Sequence, residues 1–369
     1  MNAVSTLTKR IIIILISGII FITDSSLWAQ GKTGEADKLL LKNYRPVSLY
    51  KIPVTHVNRA SFPVIDAHAH DWKKSDKQIS EWVRNMDSCG IEKTIILAVT
   101  GDRFDSVIQK YAKYGKRFEI WCGFDYTGYD KPGYGPEAVK ELERCHRLGA
   151  RGVGELGDKG LGLIYSEPVE AKGMHIDDPR MKPLLEKCAE LNMPINIHVA
   201  EPIWFYGKMD STNDGLMESW YWRVDMTQPG IIGFDGMLQT LENAVKDNPK
   251  TTFIASHFAN LNHDLTRLGI MLDKYPNLYA DISARYANSA TIPHNMKAFY
   301  EKYQDRLVFG TDMGTGIPMY RAIFRILESN DEHFYDMGGF GYHYPLNGFG
   351  LSKKTLKKLY HDNISKILK

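Results

Sequence analysis

The chain has 369 residues, 43% hydrophobic, 24% charged and 11% aromatic, an ordinary globular composition that excludes global disorder, collagen and coiled coil. Lys and Arg number 46 against 44 Asp and Glu, so the net charge is +2 and nothing in the balance points to a nucleic-acid partner. Four cysteines in so long a chain do not make a disulfide scaffold.

The first residues read as an address. Lys9 and Arg10 precede an apolar run, Ile11 to Thr23, and Ser25, Ser26, Leu27, Trp28 and Ala29 follow. A charged start, a short apolar stretch and a small residue at a cleavage point predict a signal peptide over residues 1–29, cut near Ala29. The run is too short for a bilayer, which needs about 20 residues. An uncleaved N-terminal anchor is the alternative, and Leu27 is an imperfect match to the cleavage pattern. The expectation is a periplasmic or secreted protein with no stable membrane span after cleavage. Residues 30–60 are polar and aperiodic and read as an N-terminal arm, leaving 61–369 as the folded domain.

Beyond residue 60, short β-branched runs alternate with helical patterns. Strands are expected at Val64–His70, Lys93–Val99, Phe118–Phe124, Ala150–Leu156, Pro194–Ala200, Thr251–His257, Asn277–Ser283 and Arg306–Asp312. Helices are expected at Ile79–Cys89, Asp105–Tyr114, Pro136–Leu148, Lys182–Leu191, Gly236–Lys246, Leu261–Lys274, Pro293–Tyr303 and Pro318–Glu328, with a last one at Lys353–Leu368. Eight β-α units predict an α/β fold, a TIM-like (β/α)8 barrel, with a doubly wound open sheet as the alternative. Two connections exceed what a barrel needs: 157–180 after strand four, and 201–235 after strand five. The second contains Trp204, Phe205, Tyr206, Trp220, Tyr221, Trp222 and Arg223. Long loops at this end of a barrel tend to bind ligands, so Trp204, Tyr206, Trp222 and Arg223 are candidate substrate contacts. Simple packing of the insertion is the plainer reading of the aromatics.

The chemistry sits at strand ends. In Asp66-Ala67-His68-Ala69-His70, residues two apart point the same way. His68 and His70 are thus about 6.6 Å apart along the strand, within reach of one metal ion. Alone, a His-x-His pair says little. Here Glu155, His198, His257 and Asp312 also follow apolar runs, and barrel strand ends converge on one mouth. Each of these could separately be a satisfied core histidine or a helix-capping carboxylate; six together predict a metal site. Imidazole and carboxylate ligands suit Zn²⁺ and also Mn²⁺, Fe²⁺ or Co²⁺. Arg285, after strand seven, is a candidate for gripping a substrate carboxylate with its planar fork, a surface ion pair being the alternative.

These motifs, with Ile197-His198, Ser256-His257, Gly310-Thr311-Asp312 and the closing Asn363-Ile364-Ser365-Lys366-Ile367-Leu368, resemble the amidohydrolase superfamily over residues 62–369. The resemblance is to its amidohydrolase-2 branch, which includes relatives of aminocarboxymuconate-semialdehyde decarboxylase. It implies that His68, His70, His198 and Asp312 hold a divalent metal and that His257 assists catalysis. Glu155 stands where binuclear relatives place a bridging ligand, in a context similar to TatD-type deoxyribonucleases. If it bridges, two metals bind and His198 and His257 hold the second; one metal is favoured. The expected function is hydrolysis of a C–O or C–N bond in a lactone, ester or amide, by metal-activated water with Asp312 moving the proton and His257 polarising the carbonyl. The alternative is a metal-dependent non-oxidative decarboxylase or hydratase acting on a carboxylic acid. A phosphodiesterase and a non-catalytic binding protein are less favoured. The expected partner is a small-molecule substrate, and a homo-oligomer is left open.

Overall fold

Eight parallel strands form where the apolar runs place them: β1 (Val64–His70), β2 (Ile91–Leu97), β3 (Phe118–Trp121), β4 (Val153–Asp158), β5 (Ile195–Val199), β6 (Phe253–Ala255), β7 (Leu278–Asp281) and β8 (Leu307–Val308). The structure is a computed structural model that describes residues 35–336 and 344–369; the expected signal peptide, 1–29, lies outside the described residues. The chain divides into two units, Met1–Arg45 and Pro46–Lys369. In the first, the described residues make two short 3-10 turns, Glu35–Lys38 and Leu41–Asn43. The expected arm is therefore split at residue 45. Its second half is tied to the domain, with the Thr55 backbone N–H donating to Asp331 at 2.8 Å and the Ala60 N–H to the Cys89 carbonyl at 3.0 Å.

Every strand pairs in parallel with its neighbours in sequence, β1 to β2 to β3 and β4 through to β8. A parallel bridge between Cys122 and Val153 joins the two runs. The ring closes where Ala67 N–H donates to the Phe309 carbonyl and Asp312 N–H to the His68 carbonyl, both at 2.9 Å. An open doubly wound sheet has no bond between its first and last strands, so the fold is the barrel.

Ile65, Ala67, Ile95, Leu97, Trp121, Ile254, Tyr279 and Val308 fill the inside, and Ile364 closes it with Ile367 and Leu368 packed alongside. Removing such side chains from water stabilises by about 1.5–3 kcal/mol each. The interdigitated floor holds the strands in one register, and it fixes where their ends point. Helices Asp76–Cys89, Gly101–Tyr111, Pro136–Arg147, Lys182–Glu190, Phe234–Asp247, Leu265–Lys274, Pro293–Lys302 and Ile317–Glu328 surround the strands, burying one apolar stripe each. Among the described residues, no helix is long and apolar enough to cross a membrane.

The two long connections carry structure of their own. A small antiparallel hairpin, Gly162–Leu163 with Ala171–Lys172, follows β4. A 3-10 turn, Ile203–Tyr206, and a helix, Leu216–Trp222, follow β5. The last helix runs from Lys353 to Ile367 as expected, with a π-helical turn, Lys358–Asp362, between Lys353–Lys357 and Asn363–Ile367.

Candidate metal centre

β1 does not keep its alternation to the end. Ile65 and Ala67 point into the barrel, and the pairing register with β2 then slips between Asp66 and Ala69. Such a bulge re-aims the residues that follow it, and here it turns His68 and His70 toward the mouth. Asp66 is left between β1 and β8, where it accepts from the Thr311 N–H at 2.9 Å and the Thr311 hydroxyl at 2.7 Å. Burial pushes its pKa up to about 7 against those bonds. Gly310 makes room for this arrangement, because a Cβ there would stand 2.6 Å from the His68 Cβ.

β6 ends earlier than expected. His257, Phe258, Ala259 and Asn260 all have positive φ, between 53° and 59°. Asp312, just past β8, also sits at a φ of 51°, as does Ala284 past β7 at 53°. Non-glycine residues pay about 1–3 kcal/mol each for such backbone, and it clusters where side chains must be aimed. These turns deliver His257 and Asp312 to the same point as the β1 pair.

Glu155, on β4, is the hub. Its Oε1 lies 3.2 Å from His198 Nδ1, 3.2 Å from His257 Nε2 and 3.6 Å from His68 Nε2, and its Oε2 lies 3.4 Å from His70 Nε2. Asp312 Oδ1 is 3.2 Å from His70 Nε2, and its Oδ2 is 3.7 Å from His257 Nε2. The structure thus brings together all six ligand-type residues. Their donor atoms include two triads sharing Glu155, namely His68–His70–Glu155 and Glu155–His198–His257.

Three of the four imidazoles are oriented by a bond on the far side. His68 Nδ1–H donates to the buried Asp281 carboxylate at 2.8 Å. His257 Nδ1–H donates to the Ser283 carbonyl at 3.0 Å, and His198 Nε2–H to the Ala200 carbonyl at 2.8 Å. His68 Nε2, by contrast, is buried with no hydrogen-bond partner. An orphaned lone pair held beside carboxylates is the chemistry that a divalent cation satisfies, so the residues present fit a metal. Asp281 was not among the sequence candidates, although an acid ending a strand is the same signal that marked Asp312.

The charges are strongly coupled. Burial opposes a charged His70, but Asp312 and Glu155 outweigh it and push its pKa up to about 9. Burial likewise opposes a charged His198, and Glu155 with Glu201 pushes it up to about 9. Burial would raise Glu155, yet His68, His198 and His257 hold it well below the usual carboxylate range. His257 goes the other way: burial pushes it down, despite Glu155.

Two cavities flank the cluster. One, about 490 Å³, is lined by His70, Trp72, Arg103, Lys159, Tyr165 and Asp312 among others. The other, about 480 Å³, is lined by His257, Arg285, Glu218, Phe205, Trp222 and Asp312 among others. Arg285 is buried, so it is not a surface ion pair; its Nε and Nη2 donate to Asn260 Oδ1 at 3.0 and 2.6 Å. Trp222 reaches the second cavity, though it is largely exposed. The other aromatic-loop candidates do not line either cavity. Trp204 lines a separate small cavity, and Arg223 lines another beyond Trp222. Tyr206 packs edge-on against Phe234, and its hydroxyl accepts from the Glu201 N–H at 3.1 Å. Packing of the insertion accounts for Tyr206. Lys159, ion-paired with Glu201 and lying over the Tyr165 and Trp222 rings, carried no sequence signal.

The family model described as Amidohydrolase matches residues 65–369. Among curated proteins, no sequence matches the chain. Similar solved structures include a 2,6-dihydroxybenzoate decarboxylase from Rhizobium, 16% identical with a TM-score of 0.50, covering 83% of this chain and 98% of that one. A dihydroxybenzoic acid decarboxylase from Polaromonas sp. with bound manganese is 17% identical with a TM-score of 0.51, covering 83% and 97%. A 5-carboxyvanillate decarboxylase from Novosphingobium aromaticivorans complexed with manganese is 15% identical with a TM-score of 0.51, covering 86% and 99%. At such identities the likeness carries the barrel fold. It also corrects the expected reaction: the enzymes named among these neighbours are decarboxylases, so the hydrolase expectation gives way to its alternative.

Proposed function

The chain belongs to the amidohydrolase family, and on that premise we propose that it is a metal-dependent, non-oxidative decarboxylase of a small carboxylic acid. The metal dependence rests on the buried, unpartnered His68 Nε2 facing Glu155 and Asp312, with its Nδ1–H committed to Asp281, and the decarboxylases among the similar structures support the reaction. His68, His70, His198 and Asp312 would hold the cation, with Glu155 between them. When bound, the cation supplies a Lewis acid that holds and polarises substrate oxygens. Imidazole with carboxylate accepts zinc or manganese; two of the neighbours hold manganese, and we expect one ion per chain. Metal analysis giving two equivalents, falling to one in Glu155→Gln, refutes that number.

Arg285 and Lys159 face the cavities as cations and attract an anionic substrate. Phe205 and Trp222 supply apolar lining beside the cluster, which strengthens every charge interaction there. The reaction breaks the bond from carbon to carboxylate, the electron pair stays on the carbon, and CO₂ leaves. A proton must then reach that carbon. Asp312 lines both cavities, so its acid form is placed to give the proton and regain it from water. His257, tied to Ser283 through Nδ1, keeps Nε2 beside Asp312 and steadies it.

The test is incubation of metal-loaded protein in D₂O with hydroxy- and aminobenzoates and small unsaturated acids. CO₂ release with one deuterium at the vacated carbon is expected. No CO₂ from any acid, with metal bound, refutes the proposal. We further propose export with cleavage near Ala29; a mature N-terminus at Met1 or Asn2 refutes it.

A further inference from the structure

Among the described residues, few buried side-chain oxygens and nitrogens lack a hydrogen-bond partner, and two of them belong to residues lining one small cavity. They are Glu218 Oε1 and Asn288 Oδ1. The cavity, about 130 Å³, lies between the helix Leu216–Trp222 and the short helix Tyr286–Ser289, with Trp204, Asp214, Thr291 and Tyr344 completing its wall. Glu218 also lines the 480 Å³ cavity with His257, Arg285 and Asp312, so one carboxyl stands on the wall common to both. We propose that this small cavity is a substrate pocket for a hydroxyl or amino substituent remote from the reacting carboxylate, recognised by the Glu218 and Asn288 oxygens. The inference rests on the decarboxylase reading and adds the part of the substrate that faces away from the metal.

A buried oxygen without a partner is costly, and native structures keep few of them without a use. Asn288 Oδ1 is an acceptor, and Glu218 Oε1 is one when its carboxyl is ionised, burial pushing the pKa up to about 7. The wall also carries Asp214, and among the described residues no Lys, Arg or His lines it. Such a wall repels a carboxylate, and an apolar group would leave both oxygens unpaired. A hydrogen-bond donor is the remaining complement. The volume equals roughly four liquid-water volumes at about 30 Å³ each, enough for a substituent and its carbon.

The wall is built rather than incidental. A Cβ at Gly215 would stand 2.7 Å from the Trp204 ring, so glycine lets that ring seat itself. Asn213 Nδ2–H donates to the Trp204 carbonyl at 3.0 Å, and the Ser219 hydroxyl donates to the Gly215 carbonyl at 2.7 Å. The Tyr344 hydroxyl bonds the Glu218 carboxyl, which leaves Oε1 as the oxygen without a partner.

The test compares binding of the ortho, meta and para isomers of hydroxybenzoate and aminobenzoate with that of the matching toluates, whose methyl group fills the same space without a donor. Calorimetry is run on the metal-loaded full chain, its Glu218→Leu and Glu218→Gln variants, and Asn288→Leu as a second probe of the same wall. At least one hydroxy or amino isomer is expected to bind the parent about tenfold or more tighter than its toluate. That ratio should collapse in both leucine variants and survive in Glu218→Gln, which keeps an acceptor. A parent ratio near one for every isomer, or a ratio unchanged in both leucine variants, overturns the proposal and leaves water as the occupant. CO₂ release measured in parallel separates the two ideas. Release without donor preference sinks the pocket alone; donor preference without release from any acid sinks the decarboxylase alone.

Discussion

Replacing Asp281 by Asn tests how the metal centre is held. The carboxylate accepts five hydrogen bonds. Its Oδ2 takes His68 Nδ1–H at 2.8 Å and Asn196 Nδ2–H at 2.9 Å, and its Oδ1 takes the His257 N–H at 2.9 Å, the Ser283 N–H at 3.0 Å and the Ser283 hydroxyl. Asparagine keeps the volume and one acceptor oxygen. If that oxygen serves the backbone donors, an NH₂ group faces His68, two donors meet, and the His68 proton must move to Nε2. The lone pair directed at Glu155 is then lost. Outer partners of this kind are worth about 10–100-fold in metal affinity, or about 1.4–2.7 kcal/mol at about 1.36 kcal/mol per decade. Competition with a chromophoric chelator at fixed pH reads the change, and urea unfolding of the metal-free protein reports the fold separately. A variant that folds normally and binds manganese or zinc within about twofold of the parent would show that Asp281 does not set the His68 tautomer.

Asp312→Asn should lower CO₂ release by about 10²–10⁴-fold while the imidazoles retain metal; near-parental turnover removes Asp312 from proton transfer. Gly310→Ala puts a Cβ 2.6 Å from that of His68, so urea midpoints should report a loss of about 1–3 kcal/mol from overpacking, and an unchanged midpoint contradicts the contact. Glu141 gives a pH signature away from the site. Its bonds to Arg144, helped by Thr100 and the Gly101 N–H, hold its pKa down to about 2 from an ordinary 4.5 despite burial. Because the folded value is depressed, the stability from this group is complete above pH 4.5 and is lost as pH falls through about 2. Glu141→Gln should thus cost about 1–3 kcal/mol at neutral pH, and its deficit against the parent should shrink on acidification; a constant deficit refutes the linkage.

The barrel was legible because its strands are short apolar runs set between helical periods, and β1 falls on Val64–His70 as read. The six metal-type residues were legible because each interrupts an apolar run at its C-terminal end. What supports them was not. The bulge after Asp66 leaves no mark in residue type, and the left-handed turn from His257 to Asn260 contains no glycine to announce it. That turn is why the strand expected over Thr251–His257 stops at Ala255. Asp281 ends its strand as Asp312 follows the next, and residue type alone does not tell an acid that orients a histidine from one that meets the metal. Glu218 sits in a helix whose aromatic residues dominate the pattern. The aromatic insertion is ambiguous for a physical reason: rings that fasten a loop and rings that meet a ligand look alike until the loop has a shape.

The ring of strands closes between Ala67 and Phe309, and the floor beneath it is finished by Ile364. During synthesis the first strand must therefore wait for most of the chain before its second edge is covered. An uncovered parallel edge is a template for aggregation in the meantime. A chain with this wiring has reason to be kept unfolded by a chaperone until nearly all of it is available, and the metal centre, which draws on both sides of the same seam, can assemble only after that final pairing.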